Sequence, residues 1–352
     1  MADISPQIQQ QILDARRDKR QLNIVAGNSK PFMGRQTHAD TLNVSQHRGI
    51  ISYQPVELVL TARSGTPLTE IEALLDEHNQ MLAFEPPRFS AHSTIGGTLA
   101  CNLSGPGRPW SGSIRDHILG VRLINGLGEH LKFGGQVMKN VAGYDVSRLQ
   151  AGAMGTLGVL TEVSLKVLPK PAAVSTLSWE LEAKQAIRMM NELAGKPKPI
   201  SAACWIEGRL YIRLSGAQSA VDATIKEWHG SEEPDADNLW LALRDQQLSA
   251  FQSTDPLWRL SINAAADVAP LDHLSIIDWG GAQRWYRGHQ DKYEMETLAE
   301  RAGGQVSLYT GGDRTADVFH QPVPALQEIQ KRIKASFDPD GILNSGRLYS
   351  WM

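Results

Sequence analysis

Residues 87–171 are the most informative stretch of this chain, and they read PRFSAHSTIGGTLACNLSGPGRPWSGSIRDHILGVRLINGLGEHLKFGGQVMKNVAGYDVSRLQAGAMGTLGVLTEVSLKVLPKP. Glycine and small polar residues recur in it, as in STIGGT (93–98), LSGPG (103–107) and AGAMGTLG (151–158). Glycine has no Cβ, so a ligand can come close to the backbone at such positions. The stretch therefore predicts a dinucleotide held largely through main-chain groups.

An earlier loop has the same character. AGNSKP (26–31) directly follows an apolar run, Leu22 to Val25, that we interpret as a strand. Gly27 permits a tight turn with successive N–H groups exposed, and Asn28 and Ser29 add side-chain donors. This loop is a candidate anion nest, although glycine turns of this kind are also common as plain structural turns.

Thr94 predicts the start of a short helix that runs on through Cys101. A helix N-terminus leaves unpaired donors and carries about half a positive charge, and Gly96 and Gly97 would let a phosphate approach. One diphosphate could bridge this helix and the loop at 26–31. Taken alone, each segment has the structural turn as its default interpretation.

Two familiar phosphate-binding fingerprints are absent from the sequence. No G-x-G-x-x-G joins a strand to a helix, and Gly152, Gly155 and Gly158 have the wrong spacing for one. No G-x-x-x-x-G-K-[ST] occurs either. A nicotinamide-binding Rossmann domain and a P-loop are therefore disfavoured.

Six segments, in this order, carry a resemblance to a known family. They are AGNSKPFMG (26–34), EPP (85–87), STIGGTLACNLSGP (93–106), GSIRDHILGVRLINGLGE (112–129), KNVAGYDVSRLQAGAMGTLGVLTEVSLKVLPKP (139–171) and FDPDGILNSGR (337–347). Together they resemble the FAD-binding fold of the vanillyl-alcohol oxidase and p-cresol methylhydroxylase (PCMH) type. Within it, KNVAGYDVSRL (139–149) and WGGAQRWYRG (279–288) are most similar to the FAD-binding E subunits of glycolate oxidases.

The resemblance implies an α+β fold with three parts. Residues 1–171 would form a two-subdomain PCMH-type FAD-binding domain, residues 172–323 a smaller α+β cap with an antiparallel sheet, and residues 324–352 a segment returning to the FAD domain. It also implies a subunit of a multisubunit glycolate oxidase that converts glycolate to glyoxylate. Electrons would be relayed to partner subunits, namely a second FAD subunit and an iron–sulfur subunit.

The resemblance also implies which residues hold FAD. One side of the pyrophosphate site would be formed by Gly27, Asn28, Ser29, Lys30 and Pro31. The other side, approaching the flavin, would be formed by Pro87, Thr94, Gly96, Gly97, Gly105, Ser113 and Asp116. Gly158 and Val159 would lie at the adenine end, and Arg347 near the flavin or the domain junction. Lys139, Asn140 and Tyr144 either face the flavin or are ordinary loop residues.

We expect the FAD to be noncovalent. Some relatives tether the flavin through a histidine in the first loop, where this chain has Asn28. Cys101 stands in an apolar stretch and is interpreted as a small buried side chain. No catalytic residue is assigned, because His92, the histidine beside the second loop, would also have to reach a substrate proton. No metal is expected, since His273, His289 and His320 lack ligand spacing.

Composition limits the remaining possibilities. A chain of 352 residues usually forms two domains, and a net charge of −3 gives no indication of a nucleic-acid surface. No signal peptide core and no run of about 18 apolar residues is present, so we expect a cytoplasmic protein that reaches a membrane only through partners. Two cysteines cannot supply the four thiolates of an iron–sulfur cluster, which would belong to a partner.

Two alternative functions remain open. The chain could be a free-standing FAD-dependent dehydrogenase of a small 2-hydroxy acid such as D-lactate, with Arg284, Arg287 or Arg347 holding the carboxylate. It could also be a subunit whose FAD is structural. The sequence RWYR (284–287) further suggests an anion or partner contact, whereas the other tryptophans after residue 171 are expected mainly in the core.

Local sequence patterns predict several helices and a β-hairpin. Ser5 is the expected N-cap of a first helix. A hairpin is expected over residues 118–133, and a helix from Asn238 to Phe251. From Pro324 a helix should present Leu326, Ile329 and Ile333 on one face.

Overall fold

The computed structural model describes residues 3–135, 144–267 and 274–352. In this part of the chain, helices cover antiparallel sheets, with one short parallel pair of strands at the N-terminus. The α+β class predicted from the sequence is therefore confirmed. Lys139, Asn140 and His273 lie outside the described residues. Over the ranges described, no helix combines the length and apolar composition needed to cross a bilayer.

The N-terminal elements pack into two small cores. In chain order they are α1 (Ser5–Arg17), β1 (Leu22–Val25), β2 (Asp40–Asn43), β3 (Ile50–Gln54), β4 (Val59–Arg63), α2 (Leu68–Asp76), β5 (Gln80–Met81), α3 (Ile95–Cys101), α4 (Arg108–Ser111), α5 (Ile114–His117), β6 (Ile118–Ile124), β7 (His130–Gly134), α6 (Val146–Leu149), β8 (Val159–Lys166) and β9 (Leu168–Pro169). Among the described residues, β3-β4-β8-β6-β7 form a five-stranded antiparallel sheet, β1 and β2 form a parallel pair, and β5 and β9 form an antiparallel pair. The predicted β6–β7 hairpin is confirmed by its register, Ile124 opposite His130.

Helix α1 starts one residue before the predicted position. Ile4 is its N-cap, and Ser5 is already helical because its N–H is satisfied by Asp3 Oδ1 at 2.9 Å. The predicted N-cap role of Ser5 is therefore wrong. The inner face of α1, with Ile8 and Ile12, packs against β1 and β2.

The second part of the chain is built on one large sheet. Its elements are β10 (Ala173–Glu180), α7 (Ala183–Ala194), β11 (Ile200–Ile206), β12 (Arg209–Gly216), α8 (Gln218–Trp228), β13 (Ser231–Glu232), α9 (Ala236–Arg244), β14 (Leu257–Ser261), β15 (Leu274–Asp278), β16 (Gln283–Arg287), α10 (Lys292–Arg301) and β17 (Gln305–Thr310). In the described residues they form an eight-stranded antiparallel sheet in the order β13-β10-β12-β11-β15-β16-β14-β17. Helix α9 is shorter than predicted, because Gln246 has a left-handed backbone (φ 56°) that ends the helical run, and a separate 3-10 turn follows at Ser249–Phe251.

The two faces of the eight-stranded sheet have different partners. Helices α7, α8 and α10 cover one face. The opposite face, including Trp285 and Tyr309, packs with Met33, Leu103 and Met154 of the N-terminal part in a shared apolar core. This junction places the sheet beside the loops in which the sequence predicts a ligand.

The C-terminal segment returns to the N-terminal part. After α11 (Pro324–Phe337), the Leu22 N–H donates to the Ile342 carbonyl at 2.7 Å and the Asn344 N–H donates to the Leu22 carbonyl at 2.9 Å. The tail thereby lies beside β1 as a further strand-like neighbour.

Helix α11 begins at Pro324, as predicted, but the apolar face predicted for it is largely exposed. Leu326 and Ile329 are 50% and 51% exposed, and the buried side chain of the helix is Lys334. Its ammonium donates to the Thr156 and Leu343 carbonyls, both at 2.8 Å, and to Asp338 Oδ2 at 2.6 Å. The helix is thus anchored by polar contacts at its C-terminal end, while Leu326 and Ile329 are turned to solvent and Ile333 is half-buried.

Candidate functional site

A cleft opens where β1, the N-terminus of α3 and the C-terminal segment meet. It encloses about 970 Å³, including the part open to solvent. The predicted cofactor residues that line it are Gly27, Asn28, Ser29, Lys30, Pro31, Thr94, Gly96, Gly97, Gly158 and Arg347. Residues more than 300 positions apart in sequence are therefore brought to one cleft, and their roles toward a cofactor remain predictions.

The loop at 26–31 forms the donor-rich wall. The N–H groups of Gly27, Asn28 and Ser29 donate to no acceptor within the described residues. Asn28 has a left-handed backbone (φ 46°), which asparagine tolerates better than most residues. Successive unpaired N–H groups in one turn suit an anion.

Gly27 is required by the packing of this wall against the next one. A Cβ at this position would lie 1.5 Å from the His92 carbonyl oxygen, so no other residue fits without moving the backbone. The absence of a side chain at residue 27 lets the two loops touch.

Helix α3 differs from the expectation in one respect. Thr94 is its N-cap, as predicted, and Thr94 Oγ1 accepts the Gly97 N–H at 3.2 Å. However, the N–H groups of Ile95 and Gly96 donate to carbonyls of the 64–66 turn at 3.0 and 2.8 Å. The donors expected to be open at this helix are therefore already paired, because the turn after β4 packs directly against it. The helix offers close backbone approach rather than free N–H groups.

Lys30 places a positive charge at the donor-rich wall of the cleft. Its ammonium lies 3.2 Å from Ser29 Oγ and 5.8 Å from the centre of the Phe89 ring. Burial lowers the pKa of Lys30, and no carboxylate of the described residues compensates its charge. An ammonium without an internal counter-ion is suited to an anionic ligand.

Cys101 also lines the cleft, so it is more than the small core residue that the sequence suggested. Burial raises the pKa of its thiol, which outweighs the opposite effect of Lys30. A thiol held in its protonated form is a poor nucleophile.

The C-terminal segment closes the third side. Asn344 Oδ1 accepts the Ile24 N–H at 2.7 Å, and Asn344 Nδ2 donates to the Met154 carbonyl at 2.6 Å. Arg347 donates to the Arg35 and Pro31 carbonyls at 3.2 and 3.3 Å. Both side chains therefore fix the positions of the neighbouring loops while lining the cleft.

Several predicted cofactor residues do not line this cleft. Pro87 and Gly105 line a separate, smaller cavity against the eight-stranded sheet. Ser113 and Asp116 form a capping box on α5, in which Asp116 Oδ2 accepts from Ser113 N and Ser113 Oγ, both at 2.8 Å. Tyr144 is 96% exposed.

Val159 is fully buried in the core beneath α1 and does not line the cleft either. Further lining residues that the sequence did not single out include Ser64, Met154, Gly155 and Leu160. Of these, Gly155 carried a signal. Its left-handed backbone (φ 74°) and its contact with Asn344, 2.7 Å from an added Cβ, explain the second glycine of AGAMGTLG.

The arginines of RWYR are structural, which corrects the prediction of an anion or partner contact. The Arg284 guanidinium donates to the carbonyls of residues 266, 267 and 281. The Arg287 guanidinium donates to those of residues 250, 253 and 255. Trp285 and Tyr286 are 4% and 1% exposed. Each arginine holds a loop through backbone carbonyls, so neither is available for a substrate carboxylate.

Comparison with known proteins agrees with this architecture. The family described as "FAD binding domain" matches residues 5–134. The chain is 44% identical over 348 residues to the glycolate oxidase subunit GlcE of Escherichia coli (strain K12), covering 99% of this chain and 98% of that protein. It is 41% identical over 337 residues to the glycolate oxidase subunit GlcD of Bacillus subtilis (strain 168), covering 76% and 71%.

Among solved structures, an alkyldihydroxyacetonephosphate synthase superposes with a TM-score of 0.67 at 15% identity, covering 97% of this chain and 75% of that one. At this level of identity the likeness concerns the fold alone. It extends over both the five-stranded and the eight-stranded sheet.

Proposed function

Because the chain belongs to the family of the glycolate oxidase subunit GlcE, we propose that it is the FAD-binding subunit of a glycolate oxidase, an oxidoreductase acting on a CH–OH group. The observation that supports this most directly is the wall at 26–31, where three unpaired N–H groups stand beside an uncompensated ammonium. The FAD binding domain match at 5–134 includes this wall and α3.

The chemistry of the cleft fits FAD. The pyrophosphate carries two negative charges, and the N–H groups of Gly27, Asn28 and Ser29 together with Lys30 provide donors and charge for it. Gly97 would allow close approach from α3, whereas the missing side chain of Gly96 accommodates Ser64. Gly158 would lie toward the adenine end and Arg347 toward the flavin. The chemistry that bound FAD would contribute is to accept two electrons from the substrate carbon.

A noncovalent FAD fits the side chains of the cleft. Asn28 cannot form the histidyl linkage of some relatives, and the Cys101 thiol is held protonated by burial. The residues of this chain would therefore bind and orient the cofactor through reversible contacts, and the apolar side chains of Met154 and Leu160 would keep water from part of the cleft.

We propose that the chain works with partner subunits, a second FAD subunit of the GlcD kind and an iron–sulfur subunit, to which electrons are relayed. Two free cysteines in different elements cannot hold an iron–sulfur cluster, so any cluster must come from another chain.

The test is anaerobic mixing of the purified holo-chain with glycolate or D-lactate, alone and after addition of partner subunits, while the visible flavin band is followed. Bleaching of this chain's flavin in the assembled complex is the expected result. A purified chain that never retains FAD, or a complex in which glycolate reduces no flavin, would overturn the proposal. Bleaching of the flavin in the isolated chain would show that this chain oxidises the substrate without a partner, and it would contradict the proposed electron relay.

A further inference from the structure

A buried ion pair lies behind the wall of the cleft, at the C-terminal end of α11. Lys334 and Asp338 are 7% and 1% exposed, and Lys334 Nζ donates to Asp338 Oδ2 at 2.6 Å. Neither residue is among those that line the cleft in the described parts of the chain. A buried pair of charges contributes little net stability by itself, because both charges lose their hydration. The role of this pair is therefore to be sought in the main-chain groups that it holds.

The Lys334 ammonium donates in three directions. Besides Asp338, it donates to the Thr156 carbonyl and to the Leu343 carbonyl, both at 2.8 Å. An ammonium has three N–H donors and accepts no hydrogen bond, so its donors are all used. Thr156 and Leu343 are fully buried. The lysine thus connects α11 to two segments that are far apart in the sequence.

Both of these segments form part of the cleft wall. Met154 and Gly155 of the turn at 153–156 line the cleft, and so does Asn344 of the C-terminal segment. The two segments also contact each other, since Asn344 Nδ2 donates to the Met154 carbonyl at 2.6 Å. Lys334 therefore holds, from behind, the place where the turn meets the C-terminal segment.

Asp338 fixes the course of the C-terminal segment. Its Oδ1 accepts the Ile342 N–H at 3.1 Å, and its Oδ2 accepts the Leu343 N–H at 2.8 Å. The carboxylate thus holds two main-chain N–H groups of the segment, while Lys334 holds the Leu343 carbonyl. Because buried main-chain groups need hydrogen-bond partners, the ion pair determines the path of the chain just before Asn344.

The end of α11 has a further attachment that does not involve the ion pair. The Gly126 N–H donates to the Phe337 carbonyl at 2.9 Å, and the Phe337 ring centre lies 6.2 Å from that of Phe133. Loss of the two charges should therefore shift the cleft wall more than the position of the helix.

We propose that Lys334 is a positioning residue of the cofactor site: by bridging the Thr156 and Leu343 carbonyls, it sets the relative position of two segments of the cleft wall. It acts through the residues of these segments that line the cleft and does not itself touch the cofactor. The inference rests on the proposed function in taking FAD as the ligand, whereas the effect on the two segments can be measured without a ligand.

The first experiment compares FAD affinity with stability in two variants. Lys334→Met leaves the buried Asp338 carboxylate without its counter-ion, so it should lower both the stability of the apo-chain and its FAD affinity. Lys334→Met/Asp338→Asn removes both charges and keeps an accepting oxygen, so it should recover part of the lost stability. Its FAD affinity should stay at least about tenfold below wild type, because the Thr156 and Leu343 carbonyls still lack the bridging ammonium. Denaturant unfolding and titration with FAD, followed by flavin fluorescence, measure the two properties.

Lys226→Met is the matched control, since Lys226 is an exposed lysine in the last turn of α8. This variant should match the wild type in stability and in FAD affinity. The inference is overturned if FAD affinity returns together with stability in the double variant, or if both Lys334 variants bind FAD as tightly as the wild type does.

Hydrogen exchange of the apo-chain, followed by mass spectrometry, tests the positioning role without FAD. The N–H groups of Met154 and Asn344 donate to main-chain carbonyls and report on the two segments. In the double variant, amide exchange should rise at 153–156 and at 342–344 together, while exchange in β4 stays unchanged. Faster exchange confined to α11 would contradict the inference.

The two measurements also separate this inference from the proposed function. A wild type that takes up no FAD contradicts the cofactor assignment, and hydrogen exchange then still decides whether Lys334 positions the two segments. A wild type that binds FAD, with unchanged affinity and exchange in the Lys334 variants, contradicts only the positioning role.

Discussion

At the scale of single residues, Gly27 determines whether the cleft can exist. Its backbone touches the His92 carbonyl, and an added Cβ would lie 1.5 Å from that oxygen. The contact joins the loop with open donors to the segment leading into α3. A change here should therefore alter the cleft while leaving the two sheets intact.

We expect Gly27→Ala to lower FAD affinity at least about tenfold, equivalent to about 1.4 kcal/mol, because the methyl group forces the loops apart. The measurement is the FAD-to-protein ratio after gel filtration, with thermal unfolding as a check on the fold. Gly195→Ala is the control, since its Cβ would come no closer than 3.6 Å to the chain. Equal FAD retention in both variants would contradict this role for Gly27.

Removing the charge of Lys30 should affect the stability of the apo-chain and its affinity for FAD differently. Replacing it by methionine removes a buried, uncompensated charge, so the stability of the apo-chain should stay constant or rise. FAD affinity should fall by about 10- to 100-fold, as expected for losing a hydrogen bond to a charged group. Denaturant unfolding of the apo-chain and FAD titration measure the two effects. A loss of apo-chain stability together with FAD affinity would show that Lys30 stabilises the fold rather than binding the cofactor.

The raised pKa of Asp278 predicts that the free energy of unfolding depends on pH. Burial raises its pKa to about 7, although Asp278 Oδ1 accepts the Trp279 N–H at 2.7 Å. Because the folded-state pKa exceeds the unfolded value of 3.8, the stabilising contribution is complete below 3.8 and is lost as the pH rises to about 7.

Asp278→Asn keeps the accepting oxygen and removes the charge. Its stability advantage over wild type should shrink by about 2 kcal/mol between pH 8 and pH 5.5. Urea unfolding at both pH values measures it, with Asp222→Asn, exposed on α8, as the control. An advantage that does not change with pH would exclude an elevated pKa for Asp278.

The residues that could be predicted from the sequence are those whose role is local. Thr94 caps α3 because its partner is three positions away. Arg284 and Arg287 were misjudged because five of their six carbonyl partners lie 17 to 37 positions away, on loops that the sequence does not place.

At the scale of elements, the C-terminal segment is as much a part of the cleft as β1. Asn344 connects the Ile24 N–H to the Met154 carbonyl, and its own backbone is left-handed (φ 43°). The resemblance indicated that the tail returns, but the pairing with β1 could not be read from a tail without strand periodicity.

Asn344→Ala should destabilise the chain by about 2–4 kcal/mol, because two buried main-chain groups lose their partner and alanine strains at a positive φ. Asn344→Gly relieves the backbone strain and should recover about 1 kcal/mol of that loss. Thermal unfolding of both variants provides the comparison. Equal stabilities of the alanine and glycine variants would show that backbone strain contributes nothing.

At the scale of the whole molecule, the fold class could be predicted from the sequence, whereas the direction in which the apolar face of α11 turns could not. A helical period identifies which residues share a face but not which way the face turns, and here Lys334 and Asp338 anchor the helix. Leu326 and Ile329 remain half exposed.

The double variant Leu326→Gln/Ile329→Gln should therefore keep its free energy of unfolding within about 0.5 kcal/mol of wild type. Chemical denaturation measures this, and Ile8→Gln, at a buried position of α1, should by contrast be strongly destabilising. A large loss of unfolding free energy in the double variant would show that other residues of the protein cover this face of α11. In the reconstituted complex, loss of association with unchanged stability would assign this face to a partner subunit.

The pairing of the tail with β1 also sets an order of events during protein synthesis. Leu22 emerges from the ribosome more than 300 residues before Ile342 and Asn344, which complete its hydrogen bonding. A nascent chain thus carries the donor-rich loop at 26–31 long before the third wall of the cleft exists. The cleft lacks its third wall until the segment with Asn344 and Arg347 has been synthesised, so a chain that terminates before this segment is left with an incomplete cleft.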